Sequence, residues 1–247
     1  MTDNHTMHTL PGPSQFPTTR WTLVVAAADP QRKDARSALV SLCEGYWYPL
    51  YAYVRRRGYP AERAQDLTQQ FFMRVLEGRY LDRADPEKGR FRAFILTSLK
   101  FFLSDEVDRD RAQKRGGGTV LSLEISSGEE RFQREPKHNE TPERIFERRW
   151  ALSVLERVMD KLRTEFEQQG RLDHFNRLKV FLLDKGETPY AALAREMHSS
   201  EGALKVAIHR LRKRYRDLVR QEIAETVADP AQVESELRFL AAALTRK

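Results

Sequence analysis

Cysteine is nearly absent: Cys43 is the one thiol in 247 residues. A single thiol closes no internal disulfide and leaves no pair for a zinc site, which points to an intracellular, cytoplasmic chain. Long apolar runs are missing as well. No stretch approaches the ~18 apolar residues of a membrane span, so no membrane insertion is expected. Residues 1–19 show no basic start followed by an apolar run. They are read as a disordered tail rather than a secretory signal. Alternating strand patterns joined by hairpin turns are scarce too, and that excludes most β architectures.

Catalytic signatures are equally thin. The "RGGGT" run at 115–119 sits between charged residues, not between a strand and a helix, so it is no phosphate loop. There is no HExxH, and the histidines at 5, 8, 138, 174, 198 and 209 lack metal spacing with a carboxylate partner. Acidic neighbours such as Asp108/Asp110 and Glu129/Glu130 read as solvated charges. The expectation is a chain that is not an enzyme and needs no metal and no cofactor.

What is present is basic charge and helical periodicity. Lys and Arg number 43 against 36 acids, a formal net charge of +7. That balance favours a polyanionic partner. Apolar residues recur at spacings of three and four nearly throughout, so the fold class is all-α. Between Ala35 and Arg57 the stripe is Leu39, Leu42, Cys43, Tyr46, Trp47, Leu50, Tyr51 and Val54. Pro49 is expected to kink this helix and Gly58 to stop it. A second helix from Pro60 to Glu77 buries Ala64, Leu67, Phe71, Val75 and Leu76, leaving Asp66, Gln69, Gln70 and Arg74 off the stripe. A third starts near Phe91. It turns Phe94, Ile95, Leu99, Phe102 and Leu103 inward and Arg92, Lys100, Ser104, Asp108 and Arg109 outward, with Phe101 outside the apolar stripe.

From about 115 to 140 the period breaks among glycines and charges, which reads as a flexible linker. Val120–Ile125 is a short apolar segment within it. Thr141-Pro142-Glu143 then opens a helix with a cap, a proline and an acid in order. Asp173 reads as the cap of a further helix. Thr188-Pro189 repeats the cap-and-proline start. Its helix turns at His198-Ser199, and Ser200 caps the next one. This is a helix-turn-helix pattern. His198 stands where such turns often use glycine, and histidine tolerates the left-handed backbone better than most residues. Leu204, Ile208, Leu211, Tyr215 and Leu218 face the core. The outward face carries Glu201, Lys205, Val206, His209 and Arg210, then Arg212, Lys213 and Arg214. Its early residues are placed for base edges and its basic end for phosphates. Asp229-Pro230 opens a last short amphipathic helix.

Three segments carry a resemblance: "AERAQDLTQQFFMRVLEG", "GRFRAFILTSLKFFLSDEVDRDRAQKRGGG" and "TPYAALAREMHSSEGALKVAIHRLRKRYRDL". In that order they resemble RNA polymerase sigma factors of the extracytoplasmic-function (ECF) type in the sigma-70 family. The resemblance implies two small helical domains joined by a flexible linker. A tail (1–19) precedes sigma region 2 (20–114). A linker (115–140), a region 4 helix-turn-helix (141–222) and a C-terminal extension (223–247) follow. It implies as partners the beta and beta-prime subunits of core RNA polymerase, promoter DNA, and an anti-sigma factor or other regulator. Asp66, Gln69, Gln70, Phe72 and Met73 fall on the polymerase-binding positions. Arg90, Arg92, Lys100, Ser104, Asp105, Asp108 and Arg109 fall on the −10-reading positions, with the loop from Asp82 to Arg90 as a pocket for a flipped base. Ser200, Glu201, Lys205, Val206, His209, Arg210 and Lys213 fall on the −35-reading positions. The sequence departs from the family at Gln70, where glutamate is usual. It also lacks the paired tryptophans of housekeeping sigma factors and carries His198 and Ser199 in the turn. Two other readings stay open: a stand-alone helix-turn-helix regulator, and a helical scaffold or RNA-binding protein with adhesive basic helices.

Overall fold

The computed structural model describes residues 33–77, 80, 90–112, 126–133, 140–183, 190–227 and 229–245. Among them there is no strand, so the fold is all-α as the periodicity requires. The expected N-terminal tail, the base-pocket loop from 82 to 89 and the Val120–Ile125 segment lie outside the described residues.

Helix α1 (Lys33–Arg56) runs through Pro49 without a break. Proline has no N–H, so the carbonyl of Gly45 one turn earlier loses its helical donor. Arg157 supplies one instead, its Nη1 lying 3.4 Å from that oxygen. Past the helix end Gly58 takes φ +95°, the left-handed stop expected of it. Helices α2 (Ala61–Leu76) and α3 (Phe91–Ala112) follow. Tyr46, Leu50, Tyr53 and Val54 of α1 are buried with Ala64, Leu67, Phe71 and Val75 of α2 and Phe91, Ile95, Leu99 and Phe102 of α3. Ring contacts knit them, with Tyr46 edge-on to Phe91 at 5.3 Å and Phe71 5.8 Å from Phe102.

The stretch read as a linker contains a helix, α4 (Ser126–Gln133), and that helix is docked. Gly128 lies under the Trp47 indole, where an added Cβ would sit 2.8 Å from the ring. Only glycine allows this approach. Beside it Glu129 accepts from Nε and Nη2 of Arg55, both at 2.9 Å, and from the Tyr51 hydroxyl. Burial first, and then the bond to Glu129, push the Tyr51 phenol far up. Burial works against ionising Glu129, but its bonds from Arg55 and Tyr51 prevail and hold its carboxyl below the usual range. The charge-rich sequence that suggested solvation is used to fasten the segment to α1.

Helix α5 (Pro142–Gln168) starts as expected, the Thr141 hydroxyl accepting from the Arg144 N–H. Its apolar residues cover a wide arc: Ile145, Phe146, Trp150, Ala151, Val154, Val158 and Leu162 are all buried. A helix apolar over that much of its circumference must be covered from more than one direction. It contacts α1 along much of its length and also meets α9 (Glu201–Ala224) and α10 (Val233–Thr245). Trp150 Nε1 donates to the Tyr46 hydroxyl at 3.1 Å across the α1 contact. The buried apolar residues consequently form one continuous core from α1 to α10. Between α5 and α9 come α6 (Leu172–Leu178), α7 (Val180–Leu183) and α8 (Tyr190–Glu196). Arg171, not Asp173, occupies the position before α6. Asp173 sits in the first turn and pairs with Arg177 at 2.9 Å. A single 3-10 turn, Pro230–Gln232, capped by Asp229, leads into α10.

Candidate nucleic-acid interface

The turn between α8 and α9 is built as its residue types demand. His198 takes φ +49°, the left-handed conformation that reverses the chain. Ser200 caps α9, its hydroxyl accepting from the Ala203 N–H at 3.1 Å. Leu204, Ile208 and Leu211 are buried. Glu201, Lys205, Val206, His209, Arg210 and Lys213 are all exposed, and Val206 keeps half of its surface in solvent. Lys205 Nζ lies 5.9 Å from the Tyr190 ring centroid, which steadies the ammonium without covering it.

The basic end of α9 is less open than the run of arginines suggests. Arg212 turns inward and donates from Nε and Nη2 to the Phe181 carbonyl at 3.0 and 2.8 Å. That satisfies a backbone acceptor in α7. Arg214 pairs with Glu165 of α5, and this bond holds the Glu165 carboxyl below the usual range against its burial. Lys213 is exposed between them.

On α2 the expected docking residues divide. Asp66, Gln70 and Met73 are spaced i, i+4, i+7 and share one accessible face, Met73 exposed and the other two half-buried. Gln69 and Phe72 are buried, a correction to their reading as surface contacts. Phe72 lies 5.6 Å from Phe71 within the aromatic core. Gln69 carries an Nε2 with no acceptor among the described residues, a kind of group that costs about 1–3 kcal/mol in the folded state. Its position beside the apolar stripe, one residue after the buried Thr68, draws it in with the rest of the turn.

Along α3, Ser104, Asp105 and Asp108 are exposed. Lys100 is exposed too, but is paired with Glu143 at 2.8 Å, which holds that carboxyl below its usual range. Arg109 lies on α3, with its side chain outside the described set. Arg92 corrects the expectation of an outward residue. It is buried, and its Nε lies 2.6 Å from Glu236 of α10, which also takes Arg90 Nε at 2.7 Å. The pattern around α3 could not show this, because the partner is 144 residues away. Phe101 was not among the residues expected to read the −10 element, yet it lies on the same open face. It is 56% exposed, with Thr97, Ser104, Asp105 and Asp108 around it on one face. Its place outside the apolar stripe was the available signal.

The segment spanning the second half of α1, all of α2 and all of α3 also matches a known family. Residues 45–113 match the model of sigma-70 region 2. This segment is similar to sigma-70 region 2. No curated protein and no solved structure matches the chain. The matched residues thus contain the accessible stripe of α2 and the α3 face, while the helix-turn-helix lies beyond them. Within the described residues no cluster of His, Cys, Asp or Glu could hold a metal ion, and no helix is long and apolar enough to cross a membrane.

Proposed function

We propose that this chain is a sigma factor of the minimal ECF type, which brings core RNA polymerase to promoters and starts transcription there. The observation that carries the reading is the combination of a region 2 domain with a downstream α9 whose basic outward face is open. The region 2 match supports core polymerase and promoter DNA as the partners. The helix-turn-helix supplies a second, independent reader.

In this reading Asp66, Gln70 and Met73 form the docking face for the clamp of the beta-prime subunit, with Gln69 and Phe72 shaping α2 from behind. Phe101 offers a ring on which an unpaired base of the −10 element stacks, a contact commonly worth about 1–3 kcal/mol. Asp105 and Ser104 beside it suit base amino and edge groups better than phosphates, which a carboxylate repels. Lys205, Val206, His209 and Arg210 read the −35 element in the major groove. Val206 provides the apolar surface that suits a thymine methyl, and Lys213 holds the backbone.

The test is direct. The purified protein is mixed with core polymerase, and the mixture is run on gel filtration and used in run-off transcription from promoter DNA. A sigma factor co-elutes with the polymerase and yields discrete transcripts. A stand-alone regulator binds duplex DNA through α9 but does neither, and that result overturns the reading.

A further inference from the structure

Two arginines at the start of α3 are occupied from the far end of the chain. Glu236 has no solvent exposure at all. It meets Arg92 Nε at 2.6 Å and Nη2 at 3.3 Å, and Arg90 Nε at 2.7 Å. Ser235, one residue earlier, accepts from Arg90 Nη2 at 2.8 Å. Phe239, one turn later on α10, places its ring centroid 3.4 Å from Arg92 Cζ, and the Trp150 ring lies 5.4 Å from the same carbon. Arg92 is thus held by a carboxylate in its plane and an aromatic ring over its face. A single nucleic-acid strand offers an arginine the same two contacts, a phosphate oxygen and a stacked base.

The pair is a poor choice for stability alone. Taking the Glu236 carboxylate and the Arg92 guanidinium out of water, with Arg90 still part-exposed, costs about as much as their attraction returns, and apolar side chains of like volume serve as well or better. The remaining hold of α10 on the body is limited. Val233 and Leu240 are its buried apolar residues, while Leu237, Phe239, Ala243 and Leu244 stay half-buried. The helix leans on α5 and α9 and reaches α3 by these side chains.

We propose that α10 is a self-blocking element. Glu236 and Phe239 stand in for the phosphate and base of a single strand on Arg90 and Arg92, and such a strand must displace them to bind there. This deepens the sigma-factor reading, since that strand is then the melted −10 element. In the free chain the contact withholds region 2 from DNA. It opens when the competing strand is presented at high local concentration, as on a polymerase already at the promoter.

The experiment uses the full chain and a short fluorescein-labelled deoxyoligonucleotide without polymerase. Glu236→Gln keeps the side-chain shape and removes the charge. Glu234→Gln changes the net charge equally; its carboxylate meets the well-exposed Arg220 of α9, a pair that solvent screens, and leaves Arg90 and Arg92 held by Glu236. The expected result is about tenfold tighter binding for Glu236→Gln than for Glu234→Gln, equivalent to about 1.4 kcal/mol. Equal affinities overturn the proposal. Because the buried substitution can also loosen the fold, amide exchange is measured on the unaltered protein. Saturating oligonucleotide speeds exchange across Val233–Thr245 if the strand displaces α10, and unchanged protection there overturns the proposal. Run-off transcription with core polymerase separates the two ideas. An absence of transcripts, with the oligonucleotide effects intact, removes the sigma-factor reading and leaves the self-blocking helix standing.

Discussion

Helices α2 and α9 are both amphipathic and both proposed to touch a partner, yet they hold their side chains differently. The first turns of α9 bury Leu204, Ile208 and Leu211 and expose everything opposite. Helix α2 buries Ala64, Leu67, Thr68, Gln69, Phe71, Phe72 and Val75. The first turns of α9 rest on the body along one line, so their outer face is free. The docking helix sits deeper, and what it can show a partner is the narrow stripe of Asp66, Gln70 and Met73. Exposure on a helix is set by how much of its circumference its neighbours cover, and its own pattern reports only part of that cover.

The sharpest way to break this contrast is Phe72→Ala. Removing a buried phenylalanine costs about 3–5 kcal/mol through lost burial and the cavity left behind. The urea midpoint of the full chain should fall accordingly. A variant as stable as the parent that only fails to bind polymerase would make Phe72 a surface contact and α2 as open as α9. The corresponding change on α9, Val206→Ala, should leave the midpoint within about 0.5 kcal/mol.

Next in size is Gly128→Ala, which probes the docking of α4. The new methyl meets the rigid Trp47 ring, and overpacking of this kind costs about 1–3 kcal/mol. The loss should appear as faster amide exchange across Ser126–Gln133 with little change around the α8–α9 turn. Equal loosening of both would mean that α4 is not a separate attachment.

Much of the HTH was legible in the sequence because its signals are local. A left-handed histidine, a serine cap and three apolar residues at helical spacing act within a dozen residues of one another. The same holds for the Thr141 cap and the Gly58 stop. What was hidden depends on distant partners. Glu129 reads as a solvated charge until Arg55 and Tyr51 stand beside it. Arg92 reads as outward until Glu236 arrives from the last helix. Arg212 reads as a phosphate contact until the Phe181 carbonyl claims it. Charged residues carry no period that announces a partner, so ion pairs between remote helices leave no trace in a single sequence. The wide apolar arc of α5 is covered by α1, α9 and α10 together, so the two halves share a core.

Acid and base should act on these ion pairs in a defined direction. Glu129, Glu143 and Glu165 all have folded pKa values held below their ordinary 4.5. A depressed carboxylate contributes stability that is present above its unfolded value and lost as pH falls through the folded one. Tyr51 and Tyr53 are shifted up from 10.0, chiefly by burial, so their contribution is present below about that pH and lost above it. His174, held below its ordinary 6.5 by burial and then by Arg171, adds a loss that begins as pH falls below about 6.5. The urea midpoint should therefore form a plateau between roughly pH 7 and 9 and fall on both sides. Because Glu143 and its partner Lys100 are well exposed, solvent screens that pair, and most of the acid-side loss should come from Glu129 and Glu165. A midpoint that keeps rising as pH drops below 4.5 would contradict the packing described for α4 and for the α5–α9 contact.

The smallest effect on stability and the most telling one for function belongs to Lys213→Ala. The residue is exposed and lies past the groove-facing residues of α9, so the fold should not notice its loss. If it neutralises a phosphate, the variant binds all duplex sequences more weakly and alike. The slope of log affinity against log salt falls by about one counterion. Arg210→Ala, one turn closer to the helix start, should instead cost about 1–3 kcal/mol on the preferred site and little on random DNA. Titrations of both variants against specific and random duplexes at several salt concentrations distinguish these outcomes. A sequence-selective loss at Lys213, with a uniform one at Arg210, would mean that α9 enters the groove by its other end, and the open face would then be read backwards.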